Sequence, residues 1–157
     1  LVGSEMCIRD SFITMDFGAM LDGYMSDMTR TVAVGKAGEE ERRVYETVLE
    51  AQREAFNMIR PGAVCMDVDK AARTFIADAG YGGYFGHGLG HSLGVEIHES
   101  PAFNMSDLTE LEPGMVLSVE PGIYLPGKFG VRIEDVIAVT ENGFENLTKS
   151  PKELLEL

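Results

Sequence analysis

Basic residues, cysteines, histidines and long apolar runs are all scarce in this 157-residue sequence. Lysine and arginine together number 13 against 26 aspartates and glutamates, which gives a formal net charge of −13 at pH 7. Because a surface that binds nucleic acid or anionic lipid needs clustered cations, this balance argues against both kinds of partner. The sequence also contains no apolar run of the roughly eighteen residues that a membrane-spanning helix needs.

The two cysteines, Cys7 and Cys65, are too few for a disulfide framework, so the sequence predicts a reducing compartment, the cytoplasm. Cys65 has no histidine near it in the sequence, and we interpret it as structural. Hydrophobic residues make up 45% and charged residues 25% of the chain. These values are typical of a globular protein, and the length predicts one domain with its own core.

In the first eleven residues, the apolar residues recur with neither helical nor strand spacing. A strand-like pattern begins directly after them, at Phe12. Residues 1–11 resemble a translated sequencing-adapter scar, and we expect them to be a non-native leader. An ordinary disordered terminus is the alternative.

From Phe12 onward, hydrophobic periodicity and turn residues predict a chain of strands and two helices. The predicted elements are strands at 12–20 and 29–35 around a turn at Asp22-Gly23, helices at 39–60 and 67–79, a polar loop at 101–111, strands at 114–124 and 131–139, and a hairpin turn at Glu141-Asn142-Gly143. Pro61-Gly62 is predicted to end the first helix, and Asp67 is predicted to cap the second, which Gly80 ends.

All three histidines of the protein, His87, His91 and His98, fall within twelve residues that also contain three glycines. A glycine-rich loop with incidental histidines is one interpretation of this stretch. The sequence contains no Gly-x-x-x-x-Gly-Lys-Ser/Thr phosphate-binding loop. The dinucleotide fingerprint Gly-x-Gly-x-x-Gly also fails, because Leu93 stands where the third glycine belongs. A Ser/His/Asp triad stays open on composition, but no serine has the context of a nucleophile elbow.

Four carboxylates lie inside or beside apolar, strand-like segments: Asp16, Asp27, Glu120 and Glu134. Each alone is more simply explained by an ion pair, and Arg30 is the available partner for Asp27. Four together are costly to bury unless they bind cations. Asp16 and Asp27 can face each other on adjacent strands, as can Glu120 and Glu134. With a histidine, they form a ligand set that suits Mn²⁺, Co²⁺ or Zn²⁺, and two ions balance four carboxylates better than one.

The order of these residues resembles that of the pita-bread metallopeptidases, and His87–Glu99 resembles the signature of their Xaa-Pro branch, aminopeptidase P and prolidase. The other matching segments are Asp16-Phe17-Gly18, residues 23–31, Glu120-Pro121-Gly122-Ile123-Tyr124 and Val131-Arg132-Ile133-Glu134-Asp135. The resemblance implies an α+β pita-bread (creatinase/aminopeptidase-like) fold that is N-terminally truncated. Residues 12–157 would form a partial catalytic domain, without its upstream part and the N-terminal domain.

The resemblance also implies a metal-ligand set. Asp16 would chelate one ion, His91 and Glu120 would hold the other, and Asp27 and Glu134 would bridge the two. The implied ions are Mn²⁺ first, with Co²⁺ or Zn²⁺ as alternatives.

Further roles are implied for residues around the metals. Glu120 would act as the catalytic base, His98 would steady the tetrahedral intermediate, and His87 would line the substrate site as a second catalytic histidine. Tyr124 and Arg132 match positions near the substrate, although Arg132 could equally pair with an acid.

The implied activity is hydrolysis of the bond between an N-terminal residue and proline, with proline-containing peptides as partners and a homodimer as the assembly. Ala102 follows Pro101 where dipeptidase-type members tend to place an arginine, which favours aminopeptidase P over prolidase. The alternatives are a Xaa-Pro dipeptidase, a methionyl aminopeptidase, a creatine amidinohydrolase relative, and a non-catalytic peptide-binding protein on the same scaffold.

Overall fold

The computed structural model describes residues 11–157, so the predicted leader lies outside the described residues except for Ser11, the first residue of a strand. The elements in chain order are β1 (Ser11–Phe17), β2 (Met20–Leu21), β3 (Tyr24–Met25), β4 (Met28–Val34), α1 (Glu39–Met58), α2 (Cys65–Asp78), a 3₁₀ turn (Gly82–Tyr84), β5 (Gly90–Ser92), β6 (Glu99–Phe103), β7 (Val116–Val119), β8 (Gly122–Leu125), β9 (Phe129–Arg132), β10 (Asp135–Thr140) and β11 (Gly143–Asn146). Within these residues, no helix has the length and apolarity that crossing a membrane requires.

The strands form one five-stranded sheet and three two-stranded pairs. The five-stranded sheet is antiparallel and has the order β11-β10-β7-β5-β6, whereas β1 pairs with β4, β2 with β3, and β8 with β9. The β1–β4 pair is joined to the rest by a hydrogen bond from the Glu134 amide to the Thr29 carbonyl, 3.1 Å long. The β1–β4 pair therefore contacts the break between β9 and β10, where the predicted ligand residue Glu134 lies.

Helix α1 forms where the apolar spacing predicts it. Its buried face includes Val44, Val48, Ala51 and Ala55, which recur every three or four residues. Three glutamates occupy its first turn, where the partial positive charge of a helix N-terminus favours acids. The helix ends at Met58, two residues before the predicted end, because the chain bends toward Pro61.

Helix α2 begins at Cys65 with Val64 as its N-cap, so the prediction of Asp67 as the cap is wrong. The first amides of α2 do not need a side-chain cap, because those of Cys65 and Met66 donate to the carbonyls of Thr109 and Asp107. Gly80 follows the C-terminus with a φ of 89°, which confirms the predicted glycine stop.

The predicted strands at 114–124 and 131–139 each divide in two. Pro121 separates β7 from β8, and the break between β9 and β10 falls at residues 133–134. The predicted polar loop at 101–111 is partly wrong, since β6 reaches Phe103 by pairing with β5. Glu120 and Glu134 therefore both lie at breaks between strands.

Cys65 is expected to resist alkylation in the folded protein. The residue is fully buried, and burial, with a smaller contribution from Asp107, raises the pKa of its thiol to about 11. Since the thiolate is the nucleophile, a raised pKa keeps the unreactive thiol dominant at pH 8. We expect iodoacetamide to modify Cys65 at least about a hundredfold more slowly than a free cysteine of pKa near 8.5. Peptide mass spectrometry would measure this, with the protein in urea as the control; equal rates in both states would contradict it.

Candidate metal centre

Asp27, His91 and Glu134 come from three separate parts of the chain and converge. Asp27 directly precedes β4, His91 is the central residue of β5, and Glu134 lies between β9 and β10. One potential ligand atom from each lies within 4.8 Å of the others. Two carboxylates and one imidazole at this spacing suit a divalent cation such as Mn²⁺ or Zn²⁺.

The hydrogen bonds of His91 fix which nitrogen is available as a ligand. Its Nδ1 lies 3.1 Å from the Ser92 carbonyl oxygen, which can only accept, so Nδ1 carries the proton. Nε2 is therefore the ring nitrogen that faces the acids, 3.4 Å from Glu120 Oε1 and 3.8 Å from Asp27 Oδ2. This arrangement, with the outer nitrogen held by a carbonyl, is typical of a metal-binding histidine.

Ser118 connects two of the predicted ligands. Its hydroxyl accepts a hydrogen bond from the His91 amide, 3.0 Å away, and donates to Glu120 Oε1, 3.1 Å away. Strands β5 and β7 are in close contact here, as the glycine at position 90 shows: a Cβ on Gly90 would lie 2.0 Å from the Ser118 carbonyl oxygen. Sequence analysis did not identify Ser118, although its position two residues before Glu120 places it on the same side of the chain.

Glu134 is the most deeply buried acid of the group. Its Oε2 accepts a hydrogen bond from the Thr29 hydroxyl at 2.6 Å, whereas Oε1 has no hydrogen-bond partner among residues 11–157. A buried oxygen of this kind is normally satisfied, so its isolation next to two other ligand atoms indicates a place for a cation. Sequence analysis missed Thr29, which only the tertiary fold brings to Glu134.

Burial, and then the charge of neighbouring acids, raises the pKa values of three acids of the site. Burial raises the pKa of Glu134 to about 8, with the nearby Glu120 adding to the effect, and burial raises the pKa of Glu120 to about 7. The pKa of Asp27 is also raised, by burial and then by the charge of Asp16. Crowded buried carboxylates of this kind are stabilised by a bound metal, so the donor set fits the divalent ions predicted from the sequence.

Asp16 is not part of the converging group. Its side chain is 53% exposed and forms an ion pair with Arg132. Arg132, which is distant from Asp16 in the sequence, is thus the ion-pair partner of Asp16 that sequence analysis did not identify. The other ion pair considered, Arg30 with Asp27, does not form, because Arg30 Nη2 lies 2.7 Å from Asp135 Oδ1.

Several of the predicted site residues line an open cleft of about 310 Å³. It is lined by Asp16, His87, Gly88, Gly90, His91, Glu120 and Arg132. His98 is exposed, and its ring centroid lies 4.3 Å from that of His91. All three histidines therefore lie at or beside this cleft, which argues against the interpretation of the stretch as a loop with incidental histidines.

Arg132, Tyr124 and His87 form a directed chain of hydrogen bonds. The imidazole Nδ1 of His87 lies 2.7 Å from the Gly88 carbonyl oxygen and must donate to it. Burial lowers the pKa of His87, so its Nε2 is a free acceptor for the Tyr124 hydroxyl, 2.9 Å away. The same hydroxyl accepts from Arg132 Nη1 at 3.0 Å. Arg132 thus pairs with an acid and also supports the residues predicted to meet the substrate.

Comparison with known proteins places this site in a family. The model of metallopeptidase family M24 matches residues 3–141. A peptidase of Bacillus subtilis, YqhT, is 51% identical over 99% of the chain, and a Xaa-Pro dipeptidase of Pyrococcus furiosus is 48% identical over 94% of it. The chain spans 44% and 42% of the lengths of these two relatives.

The same relationship holds for structure. An X-Pro aminopeptidase from Thermotoga maritima superposes with a TM-score of 0.92 at 42% identity, over 95% of this chain and 42% of that one. The fold over the described residues is thus the mixed α and β pita-bread fold predicted from the sequence. With matching sequence, fold and converging acids, the chain belongs to metallopeptidase family M24.

Proposed function

We propose that the protein is a two-metal peptidase that hydrolyses the bond between an N-terminal residue and proline. The observation that carries the proposal is the convergence of Asp27, His91 and Glu134 beside Glu120. Peptides with proline at the second position would be its substrates, and the cytoplasm its location. The names of similar proteins, which include a Xaa-Pro dipeptidase and an X-Pro aminopeptidase, support this substrate class.

The proposed ligand assignment uses all five residues that the sequence predicts. His91 and Glu120 would hold one ion, and Asp16 would hold the other after releasing Arg132. Asp27 and Glu134 would bridge the two. Such ions, with Mn²⁺ as the first choice, lower the pKa of a water molecule and stabilise negative charge on a carbonyl oxygen.

The side chains of the cleft would carry the protons and orient the peptide. Glu120 would accept a proton from the attacking water and deliver it to the leaving proline nitrogen, the task of a general base that then acts as a general acid. His98, beside His91, would donate a hydrogen bond to the carbonyl oxygen as it gains negative charge. His87, supported by Tyr124 and Arg132, would contact the substrate backbone.

Residue 102 favours aminopeptidase activity over dipeptidase activity. Ala102 is directly opposite His91 in the β5–β6 pair, so its side chain and that of His91 lie on the same face of the sheet. A cation at position 102 would be close enough to the site to bind the free carboxylate of a dipeptide. Alanine provides no such cation, which leaves room for a longer peptide. A Xaa-Pro dipeptidase is the second candidate, favoured by the name of the Pyrococcus relative.

The test uses the complete natural gene product that contains this sequence, loaded with Mn²⁺. Three classes of substrate are compared: Xaa-Pro dipeptides, longer Xaa-Pro peptides and Met-Ala peptides. We expect cleavage of the longer Xaa-Pro peptides and its loss in Glu120→Ala, by about a hundredfold or more if the general base is removed. Glu112→Ala, which changes an exposed glutamate, is the matched control and should leave turnover unchanged.

The other outcomes separate the alternatives. Cleavage of dipeptides alone would identify a Xaa-Pro dipeptidase, and cleavage of Met-Ala peptides would overturn the proline specificity in favour of a methionyl aminopeptidase. Binding of metal without turnover of any peptide would favour a non-catalytic peptide-binding protein.

A further inference from the structure

A buried ion pair on α2 contacts the backbone of the segment that leads to the cleft. Asp69 is fully buried, and Arg73 follows it by one helical turn. The guanidinium binds the carboxylate through two parallel hydrogen bonds, from Nε to Oδ2 and from Nη2 to Oδ1, each 2.8 Å long. Such a two-pronged contact fixes the orientation of both side chains.

The same two side chains bind three alternate residues of the segment 85–89. Arg73 Nη1 donates to the Phe85 carbonyl at 3.1 Å, and Nη2 donates to the His87 carbonyl at 2.7 Å. Asp69 Oδ1 accepts from the Leu89 amide at 3.0 Å. The guanidinium also lies over the Phe85 ring, 4.3 Å from its centroid, which adds a cation–π contact.

The segment 85–89 needs such contacts because it connects the 3₁₀ turn to β5 and contains Gly86 and Gly88, which restrict the backbone little. An unsupported segment of this kind would sample many conformations. Its position decides where the His87 ring meets Tyr124.

We propose that Asp69 and Arg73 are positioning residues for peptide hydrolysis, which hold the His87 backbone so that the imidazole meets Tyr124 and the substrate. This inference rests on the proposed function, because its kinetic effect is an effect on the cleft. Asp69 and Arg73 contact the backbone of residues 85–89, so they influence the cleft through that segment. Nothing in the sequence marked the pair, since two charges four residues apart on a helix are usually a solvated surface pair.

The kinetic test is a double-mutant cycle between Arg73 and His87 in the complete gene product. We expect Arg73→Gln to lower kcat/KM for the cleaved Xaa-Pro peptide by about ten- to a hundredfold, the usual cost of losing a supporting contact behind a site residue. In a His87→Ala background, the same substitution should change kcat/KM by no more than about twofold, because the residue it positions is gone. Effects that multiply in the double variant, or no effect in the single variant, would overturn the proposal.

Two further variants separate positioning from general stability. Arg73→Lys keeps the charge opposite Asp69 but cannot reach two carbonyls at once, so it should lower kcat/KM in the same direction. Arg53→Gln, which breaks the exposed Arg53–Glu50 pair on α1, is the matched control and should leave kcat/KM unchanged. Full activity in Arg73→Lys would show that the charge alone matters and would contradict positioning through the carbonyls.

A spectroscopic readout remains valid if the proposed peptidase activity fails. The protein has only three histidines, so ¹⁵N-histidine labelling of the Zn²⁺-loaded protein gives few ring signals. Arg73→Gln should shift or broaden the signals of His87, and Arg53→Gln should leave them in place. Unchanged His87 signals would overturn the positioning role whatever the enzyme does, whereas changed signals without peptide turnover would count against the proposed function alone.

Discussion

Replacement of Asp27 by asparagine is expected to abolish tight metal binding and to lower kcat/KM for Xaa-Pro peptides by about a thousandfold, which equals roughly 4 kcal/mol of transition-state stabilisation. The substitution keeps the shape of the side chain but removes the negative charge. Asp27 is one of three residues with ligand atoms within 4.8 Å of each other, and it is proposed to contact both ions. A neutral amide at this point cannot balance two divalent cations.

The same substitution should leave the metal-free protein at least as stable as the parent. Asp27 lies among other acids, and burial together with Asp16 opposes its negative charge. We therefore expect the melting temperature without metal to stay the same or rise, whereas the rise that Mn²⁺ causes in the parent should disappear.

Calorimetric titration with Mn²⁺ and thermal melting measure both effects. Asp22→Asn is the matched control: Asp22 is exposed in a turn with a φ of 51°, a conformation that asparagine also tolerates. Metal binding and turnover in Asp27→Asn at the level of this control would contradict the proposed ligand set.

Replacement of Asp135 by alanine is expected to lower the free energy of unfolding by about 3–5 kcal/mol, the usual cost of removing one partner of a buried ion pair. Asp135 is fully buried, and its carboxylate binds Arg30 and Lys152, each at 2.7 Å. The Asn146 amide also donates to it, at 2.7 Å. Without Asp135, two positive charges would remain in or near the core with no acid opposite them.

The loss should extend to the metal centre, because Arg30 also donates to the backbone carbonyls of Thr29 and Glu134. These contacts hold β4 against the break that carries Glu134. We therefore expect Asp135→Ala to bind Mn²⁺ more weakly even at temperatures where it is folded.

Urea denaturation followed by circular dichroism measures the change in stability. Glu50→Ala, which removes the acid of an exposed ion pair on α1, is the control and should cost less than about 1 kcal/mol. A loss below about 1 kcal/mol in Asp135→Ala would show that Arg30 and Lys152 find other partners or water.

The sequence by itself determined the elements whose signals are local. The spacing of apolar residues predicted α1. Gly80 predicted where a helix ends, and Gly143 predicted where a hairpin turns. The grouping of every histidine in one glycine-rich stretch also predicted the segment at the cleft. These signals need only near neighbours along the chain, because helical periodicity, turn conformation and close backbone approach act over a few residues.

The tertiary structure alone decided how the charged residues pair. Asp16 pairs with Arg132 and Arg30 pairs with Asp135, across separations of more than a hundred residues. No local pattern distinguishes these partners from nearer ones, and the sequence favoured Arg30 for Asp27. The division of the long predicted strands has the same origin, since β8 and β9 pair with each other and leave the five-stranded sheet. The free-energy cost of burying a charge depends on which groups lie beside that charge in the folded chain. These neighbours are set only when strands that are distant in sequence pack against one another.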